Sequence, residues 1–272
     1  MRKRRKVIDS SSLSKIKKLA GSISGNFNTE KIIPLHLIAE SEDIEVFYDH
    51  YDKGTFDGMT VYDDNEFYIH INIDNHNRFN SPRSRFTLAH ELGHYFIDTH
   101  RVGLKLGILE PHPSKIDRVQ FDKIEREADY FAACLLMPEE SFQRNLWKRK
   151  KFSFKVIDEL SKEYNVSKTS CALRFAEIGN HPIKIVYAEN GFVKWQKNSQ
   201  GFPFWNLLND KKVPEGLAMA DYFKNVKTSI ENPEEIFAID CFENVKSEDS
   251  RRIFYEHCIV YENCALSIIW ED

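Results

Sequence analysis

Apolar residues recur at helical spacing in two successive segments of this chain. The first, SPRSRFTLAHELGHYFIDTH, has Ser81 placed as a helix cap and Pro82 at the first helical position, and it predicts a helix from about Pro82 to Thr99. The second, FDKIEREADYFAACLLMP, puts Ile124, Ala128, Phe131, Ala132, Leu135 and Leu136 in one stripe. Pro138 ends it, so a helix is expected from about Asp122 to Met137. A looser link, Val102 to Ser114, joins the two. Upstream, Ile44–Tyr48 and EFYIHINI (Glu66–Ile73) read as strands, the latter rich in aromatic and β-branched residues between Asn/Asp clusters. Downstream, Phe154–Tyr164 and Lys168–Ile178 predict a helix pair around a turn at Asn165-Val166. After His181 the pattern changes to strands, with PIKIVYA-ENG-FVKWQK as a hairpin and further runs at Ile236–Phe242, Ile253–Val260 and Ala265–Trp270. The expected class is α+β. Residues 1–28 form a basic, flexible segment, 29–181 a mostly helical α+β domain that includes the pair at 154–178, and 182–272 a smaller β-rich domain.

Composition narrows the setting. The 272 residues are 42% apolar and 29% charged, ordinary for a globular chain. The longest apolar run, Tyr130 to Met137, is far too short to span a bilayer, and the basic start MRKRRK lacks the apolar stretch of a signal peptide. Five cysteines without a C-x-x-C pair argue against a disulfide framework or a cysteine metal cluster and imply a reducing, cytoplasmic environment. The net charge of −4 gives no general pull toward nucleic acid. Residues 182–272 hold 10 Lys/Arg against 15 Asp/Glu, so the predicted C-terminal domain is acidic.

The candidate chemistry lies in the two predicted helices. His90 and His94, four residues apart, share a helix face and can aim both imidazoles at one point, while Glu91 stands beside that point. Catalytic zinc keeps three protein ligands and one open position, and a neighbouring carboxylate can take a proton from water polarised there. The third ligand has two candidates. His100 falls at the last position of the longer H-E-x-x-H-x-x-G-x-x-H pattern, but Ile97 replaces the glycine that turns the chain, and an unbroken helix would carry His100 roughly 15 Å from His90. Its alternative is a solvated helix-end histidine. Glu125, at the edge of the second helix's apolar stripe, is the better placed. Asp129, one turn on, can accept a hydrogen bond from a ligand histidine and fix its tautomer. Glu127, on the opposite flank, is expected to be solvated.

RFTLAHELGHYF followed by IEREADYFAACLLMP resembles the ImmA/IrrE family of gluzincin-like zinc peptidases. The resemblance spans about residues 30–180 and extends to FDGMTVY, IHIN and VSKTSCALRF. It implies a zincin-like domain with zinc on His90, His94 and Glu125 and with Glu91 as general base. It also implies cleavage of a helix-turn-helix transcriptional repressor as substrate. The acidic C-terminal region departs from the minimal family domain, and its position suits a sensor or regulatory part. Rival readings are a zinc-fold binding module, such as an antitoxin-like partner, and a DNA-binding regulator. For DNA reading, Lys168 and Arg174 are a thin supply of cations on the second helix of the pair. The basic runs RKRRK (2–6) and WKRKK (147–151) are expected to be solvated. EFYIHINI is either the edge strand that pairs with an extended substrate or an ordinary sheet strand. Phe202, Phe204 and Trp205 in GFPFW are expected to pack.

Overall fold

Ser81 and Pro82 start a helix in the computed structural model as their chemistry dictates: Ser81 leaves at φ −71°, ψ 156°, its side chain accepts the Ser84 amide, and Pro82 sits at the first position. The structure describes residues 9–27, 32–109, 123–149, 151–208, 211–225 and 232–272. The basic run at 2–6, Lys150, residues 110–114 of the predicted link and Asp122 lie outside them. The chain divides into two compact units, one reaching to Phe142 with Ser161–Ser167, the other comprising Gln143–Leu160 and Lys168–Asp272. This division does not fall at residue 181, because the predicted helix pair contributes to both units.

The first unit begins with α1 (Ser10–Asn26), where a frayed or weakly helical entry was expected. Asp9 caps it, and its buried stripe of Ile16, Ala20 and Ile23 packs on a later helix. After α2 (Leu35–Ser41) come β1 (Glu45–Asp49), β2 (Gly58–Asp63) and β3 (Glu66–Asn72). The sheet order is β1-β3-β2, with β1 parallel and β2 antiparallel to β3. EFYIHINI is therefore the central strand, paired on both sides. It cannot offer a free edge, whereas β2 pairs only with β3 among the described residues.

The motif helix α3 (Pro82–Phe96) is shorter than its pattern predicts. Ile97 takes extended backbone, φ −77°, ψ 109°, and α4 (Asp98–Lys105) starts anew beyond it. The chain thus turns at a residue that is not glycine. The second motif helix, α5 (Lys123–Leu136), packs across α3 and carries α1 on another side. Gly93 allows the approach: a Cβ there would lie 3.1 Å from Phe131 and 3.2 Å from the Ala128 backbone. Leu88, Ala89 and Leu92 of α3 and Ala128, Phe131 and Ala132 of α5 are almost wholly buried. α6 (Glu139–Trp147) and α7 (Phe154–Glu163) follow, and Asn165, at φ 49°, takes the left-handed turn that precedes α8 (Lys168–Ile178).

The second unit is built on a five-stranded antiparallel sheet of order β5-β4-β8-β7-β6. β4 (Ile183–Glu189) and β5 (Phe192–Asn198) form the expected hairpin. Asn190 and Gly191 supply its turn at φ 50° and 79°, both left-handed as a type I′ turn requires. α9 (Ala218–Phe223) precedes β6 (Glu234–Phe237). The predicted strand Ile236–Phe242 is divided, since Ala238–Cys241 forms α10. β7 (Ile253–Val260) and β8 (Cys264–Trp270) complete the sheet. Phe202 and Phe204 join its core with Phe242 and Phe254, but Trp205 is 78% exposed and does not pack.

Candidate metal centre

Crossing α3 with α5 brings three donors to one place. His90 Nε2 and His94 Nε2 are 3.1 Å apart, and the Glu125 carboxylate reaches 3.5 Å from the first and 3.4 Å from the second. Ligands at 2.0–2.1 Å from a tetrahedral ion stand about 3.3–3.4 Å from one another, so this donor triangle has the size of one face of such a site. His90, His94 and Glu125 form the metal-compatible cluster among the described residues, and all three are buried. His100 is not part of it.

Asp129 sits one turn beyond Glu125 and meets His90 Nδ1 at 2.9 Å. A carboxylate there keeps the proton on Nδ1 and turns Nε2 toward the other two donors. Burial alone would lower the pKa of His90. The hydrogen bonds from Asp129 and Glu125 outweigh burial and hold the ring well above its ordinary value. The same negative surroundings favour any cation at Nε2, so the residues present fit a metal ion.

Glu91 is 1% exposed and follows His90 on α3. Its carboxylate Oε2 accepts the Thr60 hydroxyl at 2.7 Å, and the same hydroxyl lies 3.1 Å from the Glu91 carbonyl. Gly58, two residues earlier on β2, leaves the room Glu91 occupies. A Cβ at Gly58 would stand 2.7 Å from Glu91 Oε1 and 2.6 Å from Thr87 Cγ2. The start of β2 is itself pinned to α3. Arg83 bonds the Asp57 carboxylate at 2.9 Å, and Asn77 bonds the Asp57 carbonyl and accepts from Thr87. Sequence spacing did not single out Thr60 or Gly58. FDGMTVY was part of the family resemblance, but nothing in it ties a strand hydroxyl to a helix carboxylate 31 positions away.

The structure reverses two sequence expectations. Glu127 is not solvated but 4% exposed, and His100 is not a helix-end surface residue but 1% exposed. They bond each other at 3.2 Å, and Ser12 of α1 donates to the second Glu127 oxygen at 2.6 Å. Burial and the neighbouring His94 push His100 down to about 4. Burial raises Glu127, but the bonds from Ser12 and His100 prevail and hold it below its ordinary value.

Two crossed helices converge two histidines and a glutamate, a set that could hold a metal ion, beside a buried carboxylate. The model of the Peptidase_M78 family, the IrrE N-terminal-like domain, matches residues 39–176, and the chain belongs to that metallopeptidase family. No curated protein matches the chain. A solved structure described as a Mycobacterium tuberculosis transcriptional regulator is similar in fold, with a TM-score of 0.61 and 12% identity, over 94% of this chain and 76% of that one. No helix among the described residues is long and apolar enough to cross a membrane.

Proposed function

We propose that the protein is a cytoplasmic zinc endopeptidase of bacterial or phage origin whose substrate is a helix-turn-helix transcriptional repressor. The observation that carries this reading is the convergence of His90, His94 and Glu125 within one face of a tetrahedron, with Glu91 buried alongside. His90, His94 and Glu125 would hold the zinc, and Asp129, 2.9 Å from His90 Nδ1, fixes the His90 tautomer. Bound zinc would supply Lewis-acid chemistry, polarising the scissile carbonyl and making water acidic enough to lose a proton near neutral pH. Glu91 takes that proton and returns it to the leaving amine. Thr60 limits rotation of the Glu91 side chain by holding Oε2.

An extended peptide would be aligned by pairing with β2, the edge strand that carries Gly58 and Thr60 to the side of Glu91. The repressor as substrate follows the family resemblance. Direct reading of duplex DNA by α7 and α8 has little support: Lys168 is ion-paired with Asp158 at 2.9 Å, and Arg174, 2% exposed, is paired with Glu177 at 2.8 Å. Glu91→Gln is expected to retain one zinc per chain and to lose cleavage by about 10²–10⁴-fold. A zinc-loaded Glu91→Gln protein that cleaves like wild type overturns the role of Glu91. Steeply salt-dependent binding of duplex DNA by the whole protein would favour the DNA-binding reading instead.

A further inference from the structure

We infer that the outer face of the first unit's sheet, turned away from Glu91, is a docking surface for an extended cationic protein segment with an apolar residue at its centre. Alternation along β2 separates the two faces. Thr60 points to Glu91, so its neighbours Met59 and Val61 point the other way. Strand register sets Met59 beside His70 and Val61 beside Tyr68, and across β3 it sets Phe47 beside His70 and Glu45 beside Tyr68. Phe47, 40% exposed, stacks on His70 with ring centroids 5.3 Å apart and 19° between planes. An aromatic and aliphatic strip thus crosses all three strands. Phe67, Ile69 and Ile71, on the opposite face of β3, are buried.

Charge identifies the occupant. Glu45 and Asp49 flank Phe47 on β1, and Asp63 pairs with Glu66 where β2 meets β3. All four carboxylates are exposed, and none is paired with a cationic side chain among the described residues. The three strands contain no lysine or arginine, and burial lowers the pKa of His70, which favours its neutral form. Uncompensated negative charge around an apolar strip repels nucleic acid and attracts a partner of opposite sign. Strand residues rise about 3.3 Å each, so Glu45 and Asp49 stand roughly 13 Å apart with Phe47 midway. An extended segment with Lys or Arg at i and i+4 and an apolar residue at i+2 repeats that spacing on one side. The proposed repressor substrate suits this chemistry, since a DNA-binding protein meets phosphate with lysine and arginine. Only that identification of the partner rests on the peptidase reading.

The probe is a fluorescein-labelled peptide built on Lys-Thr-Leu-Thr-Lys with Gly-Ser ends, its binding to the whole metal-free protein followed by fluorescence anisotropy. Wild type is expected to bind it about tenfold more tightly than the same peptide with both lysines replaced by glutamate or the leucine by serine. Glu45→Lys with Asp49→Lys, and separately Phe47→Ser, should each weaken binding by about tenfold. Glu248→Lys with Glu262→Lys, an equal change of net charge on exposed residues of the second unit, should leave it within about twofold. Glu45 and Asp49 are exposed, so their variant carries the test if Phe47→Ser fails to fold. Equal weakening by the second-unit pair overturns the docking surface, because net charge alone would then attract the peptide. Unchanged binding in every folded variant of the sheet overturns it as well. Sedimentation showing that the sheet variants abolish self-association, with peptide binding untouched, assigns the face to a second copy and also overturns it. A protein that cleaves a repressor but ignores the probe loses the docking surface and keeps the peptidase reading; one that binds the probe without cleaving does the reverse.

Discussion

As the proposed general base, Glu91 needs its carboxylate fixed: Thr60 of β2 bonds it, and Gly58 of β2 leaves it room. Gly58→Ala places a methyl group 2.7 Å from Glu91 Oε1. It is expected to slow cleavage by as much as about 10²-fold, the effect of displacing a reacting group by roughly 1 Å, with zinc content unchanged. Zinc analysis beside a cleavage assay checks this, and loss of zinc in the variant would contradict it. Glu125→Ala, by contrast, should abolish stoichiometric zinc binding, since it removes one of the three proposed protein donors. The cluster of His90, His94 and Glu125 was legible in the sequence because H-E-x-x-H fixes its own geometry on a helix and Glu125 and Asp129 share one side of the next. His100 and Glu127 were misjudged for a common reason. Wheel positions on single helices say nothing of α1, which covers the flank of α5 where Glu127 lies, nor of the chain reversal at Ile97.

The approach of α3 to α5 is an interlocking of apolar side chains around Gly93. Leu92 of α3 is 0% exposed, and Leu92→Ala should cost about 2–5 kcal/mol of stability, measured by denaturant unfolding of the metal-free protein. Adjacent residues of β7 point to opposite faces of the second unit's sheet, and each carries a buried titratable group. His257 stacks on Phe154, their ring centroids 3.6 Å apart, and burial with nearby Lys168 pushes it down to about 4. Glu256 accepts bonds from Ser267 and from the amides of Ala218 and Met219. Burial nonetheless outweighs those bonds and pushes it up to about 7. A carboxyl whose pKa is raised from 4.5 binds its proton more tightly in the fold than in the unfolded chain. Its contribution is therefore complete below about pH 4.5 and is lost as pH rises through about 7, on the order of 3 kcal/mol in all. Unfolding free energies between pH 5 and 8 should show this decline in wild type and a shallower one in Glu256→Gln; parallel curves would refute it. Strand runs were readable here because alternation and the Asn190-Gly191 turn are local signals. The division of β6 from α10 was not, because Phe237 to Phe242 is equally apolar in either conformation.

The two compact units correspond to two different degrees of legibility. The family match, residues 39–176, contains His90, His94 and Glu125, and that part was readable because chemistry imposes spacing on sequence. Residues 182–272 follow a core of ordinary strands and phenylalanines with no motif in it, so their pattern gave strands without a role. Zinc binding should be visible in the stability of the intact protein. At free zinc 100-fold above the dissociation constant, the ion adds about 2.7 kcal/mol, and a chelator should remove that gain from wild type but not from Glu125→Ala. The most direct test of the proposed peptidase is to incubate zinc-loaded wild type and zinc-loaded Glu91→Gln with any helix-turn-helix repressor that a neighbouring gene encodes. Repressor fragments are then followed over time by mass spectrometry. Site-specific cleavage by wild type, slowed by about 10²–10⁴-fold in a variant that retains its zinc, is the expected result. Equal cleavage by both proteins, or an intact repressor with either, would contradict it.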